Sequence, residues 1–256
     1  MKDFSILITT FNRLADLKYT LTFLEKFLKD GVQIIICDDA STDGTSAFIR
    51  EKYPKIQLLI NPVNKGLIYS RNRLLNLTDT LYAISLDDDA HFLSNKVLQV
   101  AASHFQHNPK CAVIACRIYW GLQSPINIRT EKETKRVQGF VGCGHIWNMK
   151  AWRDIPRYPE WFVFYGEEEF ASFQLFKKGW EIDYVPSIVV HHRVEVKHRK
   201  NDRDYHQRLR RSLRSGWYLY ILFYPLREIP RRFAYTLWMQ IKLKVYKGDL
   251  KAARAI

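Results

Sequence analysis

Cysteine is scarce in this chain: Cys37, Cys111, Cys116 and Cys143 are the only four in 256 residues, and no two are spaced as CxxC. That spacing argues against a disulfide framework and against a zinc ribbon, and points to buried free thiols in a reducing compartment. Long apolar runs are absent as well. The longest after the N-terminal segment is Trp217 to Tyr224, far short of the ~20 residues of a membrane span. The apolar stretch Phe4 to Ile8 follows Asp3 and is too short for a secretory leader. A cytoplasmic protein is expected. There is no internal repeat and no low-complexity linker.

Acidic residues are scarce at one end only. Residues 191–256 hold 17 Lys+Arg against 5 Asp+Glu, whereas residues 1–190 hold 23 against 21. A near-neutral body therefore carries a strongly basic tail, an asymmetry that suits an anionic surface, either membrane or nucleic acid. What is plentiful is apolar and aromatic material, 47% and 14% of residues, which marks a folded rather than a disordered chain.

The apolar residues alternate between two periods. Phe4–Ile8, Val32–Cys37, Ile56–Ile60 and Leu81–Leu86 are short buried-strand runs. Between them, Leu14, Leu17, Leu21, Leu24 and Leu28 form a helical stripe that Gly31 ends, and a further helix carries Leu67, Arg71, Leu74 and Leu75. This β-α-β-α rhythm predicts a parallel sheet with helices on both faces. Ligands of such sheets gather at the carboxyl ends of the strands, which aligns Thr9-Thr10, Asp38-Asp39, Asn61–Asn64 and Asp87–Asp89 along one edge. In the second half, Ala112–Tyr119 reads as a strand and residues 120–136 as polar. Gly139–His145 reads as a segment permitting close backbone approach to a ligand. Glu167–Gly179 reads as a helix burying Phe170, Phe173 and Phe176, and Tyr184–Pro186 and Ile188–Val190 as short strands.

The triplet Asp87-Asp88-Asp89 directly follows the Leu81–Leu86 run. Carboxylates clustered at the edge of a core repel one another and lose hydration. In an extended segment Asp87 and Asp89 project to one side, where they can share a hard divalent cation such as Mg²⁺ or Mn²⁺. The alternative is a solvated acidic turn.

In chain order, Ile8-Thr9-Thr10-Phe11-Asn12-Arg13, Asp38-Asp39-Ala40-Ser41, Asn64-Lys65-Gly66 with Arg71-Asn72, Asp87-Asp88-Asp89 and Gly166-Glu167-Glu168 resemble the motifs of glycosyltransferase family 2, the inverting enzymes of GT-A fold. The resemblance covers roughly residues 3–192. It implies a Rossmann-like, mostly parallel central sheet flanked by helices, in a catalytic domain over 1–192. Residues 1–90 would form its nucleotide-binding half and 91–192 its acceptor half, with a basic amphipathic helical region over 193–256. It further implies donor nucleotide contacts from Thr9, Phe11, Arg13, Asp38, Asp39, Asn64, Arg71, Asp87 and Asp88. A Mn²⁺ or Mg²⁺ ion would be held by Asp89 and Asp87, with His191 of the His191-His192 pair as a further ligand. Glu168 would be the general base, standing where relatives usually carry Asp. Asp39 can accept from an imide N–H, and Arg71 can pair with carbonyl or phosphate oxygens. The donor is a nucleotide-diphosphate sugar, by default a UDP-sugar. The acceptor is a glycan or lipid-linked hydroxyl in bacterial surface-polysaccharide or glycolipid assembly.

Residues 203–247 mix Arg and Lys with Trp, Tyr, Phe and Leu, and Pro225 and Pro230 divide them into helical pieces. Cationic, aromatic, amphipathic helices suit an anionic membrane interface, so peripheral attachment at the inner face of the membrane is expected. A helical cap packed on the body is the alternative. Two rival functions stand. A nucleotidyltransferase would carry a Gly-rich basic loop after the first strand, where this chain has Thr9–Arg13. A nucleic-acid-binding module would leave the ordered acidic motifs unexplained, so no nucleic-acid partner is expected.

Overall fold

The computed structural model describes residues 2–130, 132–195 and 204–254; of the expected basic tail, residues 196–203 and 255–256 lie outside the described residues. The chain begins β1 (Phe4–Thr10), α1 (Leu14–Lys29), β2 (Gln33–Asp38), α2 (Thr45–Lys52), β3 (Gln57–Ile60), α3 (Leu67–Leu77), β4 (Tyr82–Asp87). Then come β5 (Ala90–Phe92), α4 (Val97–His107), β6 (Cys111–Trp120), β7 (Lys135–Val137), β8 (Gly144–Asn148), α5 (Met149–Asp154), α6 (Glu167–Lys177) and β9 (Glu181–His192). Helices α7 (Tyr205–Phe223) and α8 (Ile229–Leu243) follow.

One mixed sheet runs through both halves in the order β3-β2-β1-β4-β8-β6-β9-β5, with β7 paired to β9. The first four of these strands are parallel; β8 then joins β4 and β6 antiparallel, and β6 and β9 run parallel. The strands alternate between two apolar layers, as their period of two requires. Ile6 and Ile8 pack with Leu17, Leu21 and Leu24 of α1 on one face. Leu7 packs with Ile68 and Leu74 of α3 on the other. The three α1 leucines are wholly buried, and each is worth roughly 2–3 kcal/mol of apolar burial.

Register brings the strand ends level: Thr10 lies opposite Asp38 on β2 and Thr9 opposite Asp87 on β4. The acidic and polar motifs thus share one edge of the sheet.

Two second-half expectations change. The two short strands are one, β9, whose pairing with β6 jumps from Cys116↔Val185 to Arg117↔Val189. Pro186 has no N–H to give the ladder, so the chain loops out there and resumes pairing. In α6, Phe170 is buried but Phe176 is 81% exposed. The helix lays Glu167, Ala171 and Leu175 (an i, i+4 row) inward, while Phe173 stacks on Phe223 of α7.

The loop entering α6 is strained. Val163, Tyr165 and Gly166 have φ of 70°, 68° and 89°, costly for a β-branched or aromatic residue. Helix α7 holds it: Arg214 donates to the Phe162 carbonyl at 3.0 Å and Ser215 Oγ to the Phe164 carbonyl at 3.3 Å. A Cβ on Gly166 would stand 3.0 Å from Ser215 Cβ and 3.1 Å from the Phe162 ring. Gly166→Ala is expected to destabilise the fold by about 1–3 kcal/mol, measured by urea unfolding; an unchanged midpoint would show that the loop relaxes freely.

Candidate active site

At the carboxyl edge of the sheet, five carboxyls face two guanidiniums. Arg71, on the inner face of α3 and 5% exposed, donates to Asp87 at 2.9 Å, Glu167 at 2.8 Å and Glu168 at 2.9 Å. Arg13, at the start of α1, reaches Asp89 at 2.8 Å and Asp88 at 3.2 Å. Burial opposes charge on Arg71, but its carboxylate neighbours outweigh that and raise its pKa. The acids still outnumber these cations, which leaves the cleft suited to a further positive charge.

Asp87 leaves β4 with its side chain about a quarter exposed, whereas Asp89 is buried. His192, the last residue of β9, places Nε2 2.9 Å from Asp89 Oδ1 and 3.8 Å from Asp87 Oδ2. The ligand atoms of Asp87, Asp89 and His192 lie within 4.8 Å of one another. The close His192–Asp89 contact is not aligned as a hydrogen bond, so Asp89 Oδ1 is a buried oxygen without a donor among the described residues. An orphaned anionic oxygen beside a second carboxylate and an imidazole fits a Mn²⁺ or Mg²⁺ ion. Burial raises the Asp89 pKa, but His192 and Arg13 outweigh it and hold the group below its ordinary value. Asp88 behaves differently: burial dominates and pushes it up to about 8.

His191 does not belong to this cluster. Neighbouring residues of a strand face opposite ways, and His191 turns to the Gly121 carbonyl, 2.8 Å from its Nε2, and to the His91 ring. His192 takes the place expected of it.

Other residues expected to contact the nucleotide also make bonds within the chain. Asp38 is wholly buried; it accepts from the Ser41 N–H at 2.9 Å and from the Ser46 hydroxyl, fixing the turn after β2. Asp88 is buried, accepting from Thr10 Oγ1 at 2.9 Å. Arg71 is paired with three carboxylates. Asp39 accepts from Asn61 Nδ2 and the Lys65 and Gly66 N–H groups at 2.6, 2.8 and 2.7 Å. Those three bonds tie down the loop before α3 and leave carboxylate lone-pair capacity for one more donor. Thr9 sits at the strand end, and Phe11, Arg13 and Asn64 stand at the surface of the same edge.

The glycine segment also serves the chain itself. A Cβ on Gly142 would fall 2.0 Å from Glu168 Oε1 and 2.7 Å from Arg71, so Gly142 admits the acid–arginine cluster. Glu167 is 2% exposed, whereas the Glu168 side chain is 16% exposed and Glu169 is at the surface. Burial and then Glu167 raise the Glu168 pKa above the usual glutamate value, with Arg71 opposing. Beside this cluster a cavity of about 390 Å³ is lined by Trp120, Phe140, Glu169, Ser172 and Tyr184. Two other surface cavities lie away from the acids, one along residues 127–132 and one beside His104.

The family model described as Glycosyl transferase family 2 matches residues 5–172. No curated protein matches the sequence. Among solved structures, a mannosyltransferase from Pyrobaculum calidifontis in complex with GDP-Man and Mn²⁺ is similar, with 16% identity and a TM-score of 0.62 over 84% of this chain and 62% of that one. GalNAc-T7 with UDP, GalNAc and Mn²⁺ has 16% identity and a TM-score of 0.64 over 84% and 47%. TarS of S. aureus has 20% identity and a TM-score of 0.61 over 82% and 38%. The GT-A architecture is shared, and the chain spans less than two thirds of the length of each.

Because Arg71 balances three carboxylates in the interior, Arg71→Met is expected to lower unfolding free energy by about 3–5 kcal/mol. Denaturant unfolding at neutral pH checks this; a loss under about 1 kcal/mol would mean that the acids find other partners.

Proposed function

The chain belongs to glycosyltransferase family 2, and we propose that it moves a sugar from a nucleotide-diphosphate donor, by default a UDP-sugar, to an acceptor hydroxyl with inversion. The observation that carries this reading is the convergence of Asp87, Asp89, His192 and Glu168 around one cleft at the strand ends.

The base is Glu168 rather than Glu167, because Glu167 is sealed inside while Glu168 keeps an exposed portion. Its carboxylate takes the acceptor O–H proton, and the acceptor oxygen attacks the anomeric carbon from the face opposite the diphosphate. The bond from that carbon to the diphosphate oxygen breaks, and its electron pair leaves with the diphosphate. Arg71 and Gly142 fix where the Glu168 carboxylate stands. Asp87, Asp89 and His192 would hold a divalent cation, which when bound supplies positive charge to the departing diphosphate. Phe11 and Asn64 stand where a base and ribose can lie, with the free capacity of Asp39 beneath them. The aromatic cavity beside Glu169 suits an acceptor sugar stacked on Trp120 or Phe140.

The acceptor is a glycan or lipid-linked hydroxyl, and the C-terminal helices suit attachment to an anionic leaflet. Among the described residues no helix is long and apolar enough to cross a membrane. Leu226, Tyr235, Trp238, Tyr246 and Leu250 are nonetheless half or more exposed, beside exposed Arg227, Arg231, Lys242 and Lys247. Helix α7 also caps the body through Leu213 and Leu219, so one hairpin serves both expected roles. A nucleotidyltransferase reading gains nothing from this geometry.

Glu168→Gln is expected to reduce transfer by about 10²–10⁴-fold while donor affinity stays within twofold. Because the Glu168 pKa is raised, wild-type activity rises with pH through a limb above the ordinary glutamate range, and that limb disappears in the variant. Near-normal turnover of Glu168→Gln would assign the base elsewhere. Asp89→Asn is expected to abolish the Mn²⁺-dependent part of nucleotide-diphosphate binding in calorimetry; an unaltered metal dependence would remove Asp89 from the ligand set. The full chain is expected to sediment with anionic but not zwitterionic vesicles, and less so as salt rises; equal partition to both vesicles would count against the basic face.

A further inference from the structure

At the edge of the sheet opposite the acid cleft, three side chains from three elements converge. His104 lies in the last turn of α4, Cys111 opens β6 and Asp183 stands near the start of β9. Their ligand atoms lie within 4.8 Å of one another, with His104 Nε2 2.8 Å from Asp183 Oδ2. We propose that His104, Cys111 and Asp183 form a second cation site, for a borderline divalent metal such as Zn²⁺, independent of the transfer reaction.

The backbone is arranged to bring these groups together. Residues of β6 would alternate faces, which would put Cys111 with Val113. Instead the register against β9 shifts between Cys111 and Val113. Ala112 and Val113 both face the layer of Trp147, while Cys111 joins Ile114 and Cys116 on the face covered by α4. A bulge of this kind re-aims a side chain. Here it turns the thiol toward the face where Asp183, opposite Ile114 in register, meets His104. The second imidazole nitrogen of His104 lies 3.4 Å from Asn108 Nδ2, so a neighbour stands against the ring on the side away from the cluster.

The donor set decides the metal. One imidazole nitrogen, one sulfur and one carboxylate oxygen are the ligand types of Zn²⁺, whose three-ligand sites keep a fourth position open. Ligands at zinc distances stand roughly 3.5 Å apart, so the His104–Asp183 pair, now at 2.8 Å, need only open slightly around the ion, with all three ligand atoms already within 4.8 Å of one another. Mg²⁺ and Mn²⁺, which suit the acid cleft, do not select sulfur. Cys111 and Asp183 are buried, while His104 keeps an exposed edge beside a surface cavity lined by Ser103, His107 and Asn108, which provides a way in. On binding, the thiol proton passes to water as the sulfur–metal bond forms. Asp183 and His192 stand nine positions apart on β9, about 25–30 Å along a strand, so the site staples α4 to β6 and β9 without touching the cleft. Its ligands are too far apart in sequence to register as a zinc motif.

The test is a Co²⁺ titration of the full chain, stripped with a chelator, followed by absorption. A thiolate-to-cobalt charge-transfer band is expected at one equivalent and is displaced by Zn²⁺. The band must vanish in Cys111→Ser and persist in both Asp89→Asn and Cys143→Ser, because Cys143 is a buried thiol beside the acid cleft. His104→Ala, in the last turn of α4 and at the most exposed of the three ligands, tests the site with less risk to folding. It and Asp183→Asn are expected to weaken Zn²⁺ binding by at least about tenfold and to remove Zn²⁺-induced thermal stabilisation. Absence of the band in the wild type overturns the proposal and leaves a His104–Asp183 hydrogen bond beside a packed thiol. So does a band retained in Cys111→Ser, or unaltered Zn²⁺ affinity in both other variants.

Discussion

A buried guanidinium organises the cleft. Arg71 sits on the inner face of α3 and pairs with acids from β4 and α6. Leaving three carboxylates in a closed interior without it would carry a large desolvation and repulsion cost. Its position therefore determines how close α6 can approach the strand ends, and so where Glu168 stands relative to Asp87. Gly142 is the complementary constraint: any side chain there would occupy the space of that pair. Arg13 performs a similar office for Asp88 and Asp89 from the other side, but its side chain is 42% exposed, so its contacts exchange more readily with those of an arriving ligand.

The N-terminal half was legible in the sequence because its signals are local. Apolar runs of strand length separated by a leucine stripe specify β1, α1 and β2 almost to the residue, and parallel pairing fixes which loops share an edge. Strand alternation predicts Asp87 and Asp89 on one side, but β4 ends at Asp87 and it is the turn at Asp88-Asp89 before β5 that sets them together. The same rule separates His191 from His192, but applying it required the register of β9, which Pro186 interrupts. The roles of Arg71 and Asp38 were hidden for a different reason. A charged residue near a motif looks alike whether it meets a ligand or another part of the chain, and only burial and partners distinguish the two. The partners of Thr10, Asn61, Gly142 and Arg214 lie across large sequence separations that no periodic pattern records. A positive φ at Val163 likewise has no sequence signature.

Family membership and architecture fit together with the geometry at different levels. The match over residues 5–172 covers β1 to β8, the acid cluster and the first half of α6, and stops before β9, with its His192, and the C-terminal helices. The solved relatives share the fold at 16–20% identity, which leaves the side chains around donor and acceptor to be read from this chain itself. Two of them are described with Mn²⁺.

The grip of α7 on the 162–166 loop makes the C-terminal hairpin a keystone rather than an appendage. Positive φ at Val163, Tyr165 and Gly166 shapes the loop that leads into Glu168, and Arg214 and Ser215 brace it from a helix some fifty residues further on. Whatever displaces that helix is therefore felt at the start of α6, so the two helices are mechanically joined in one lever.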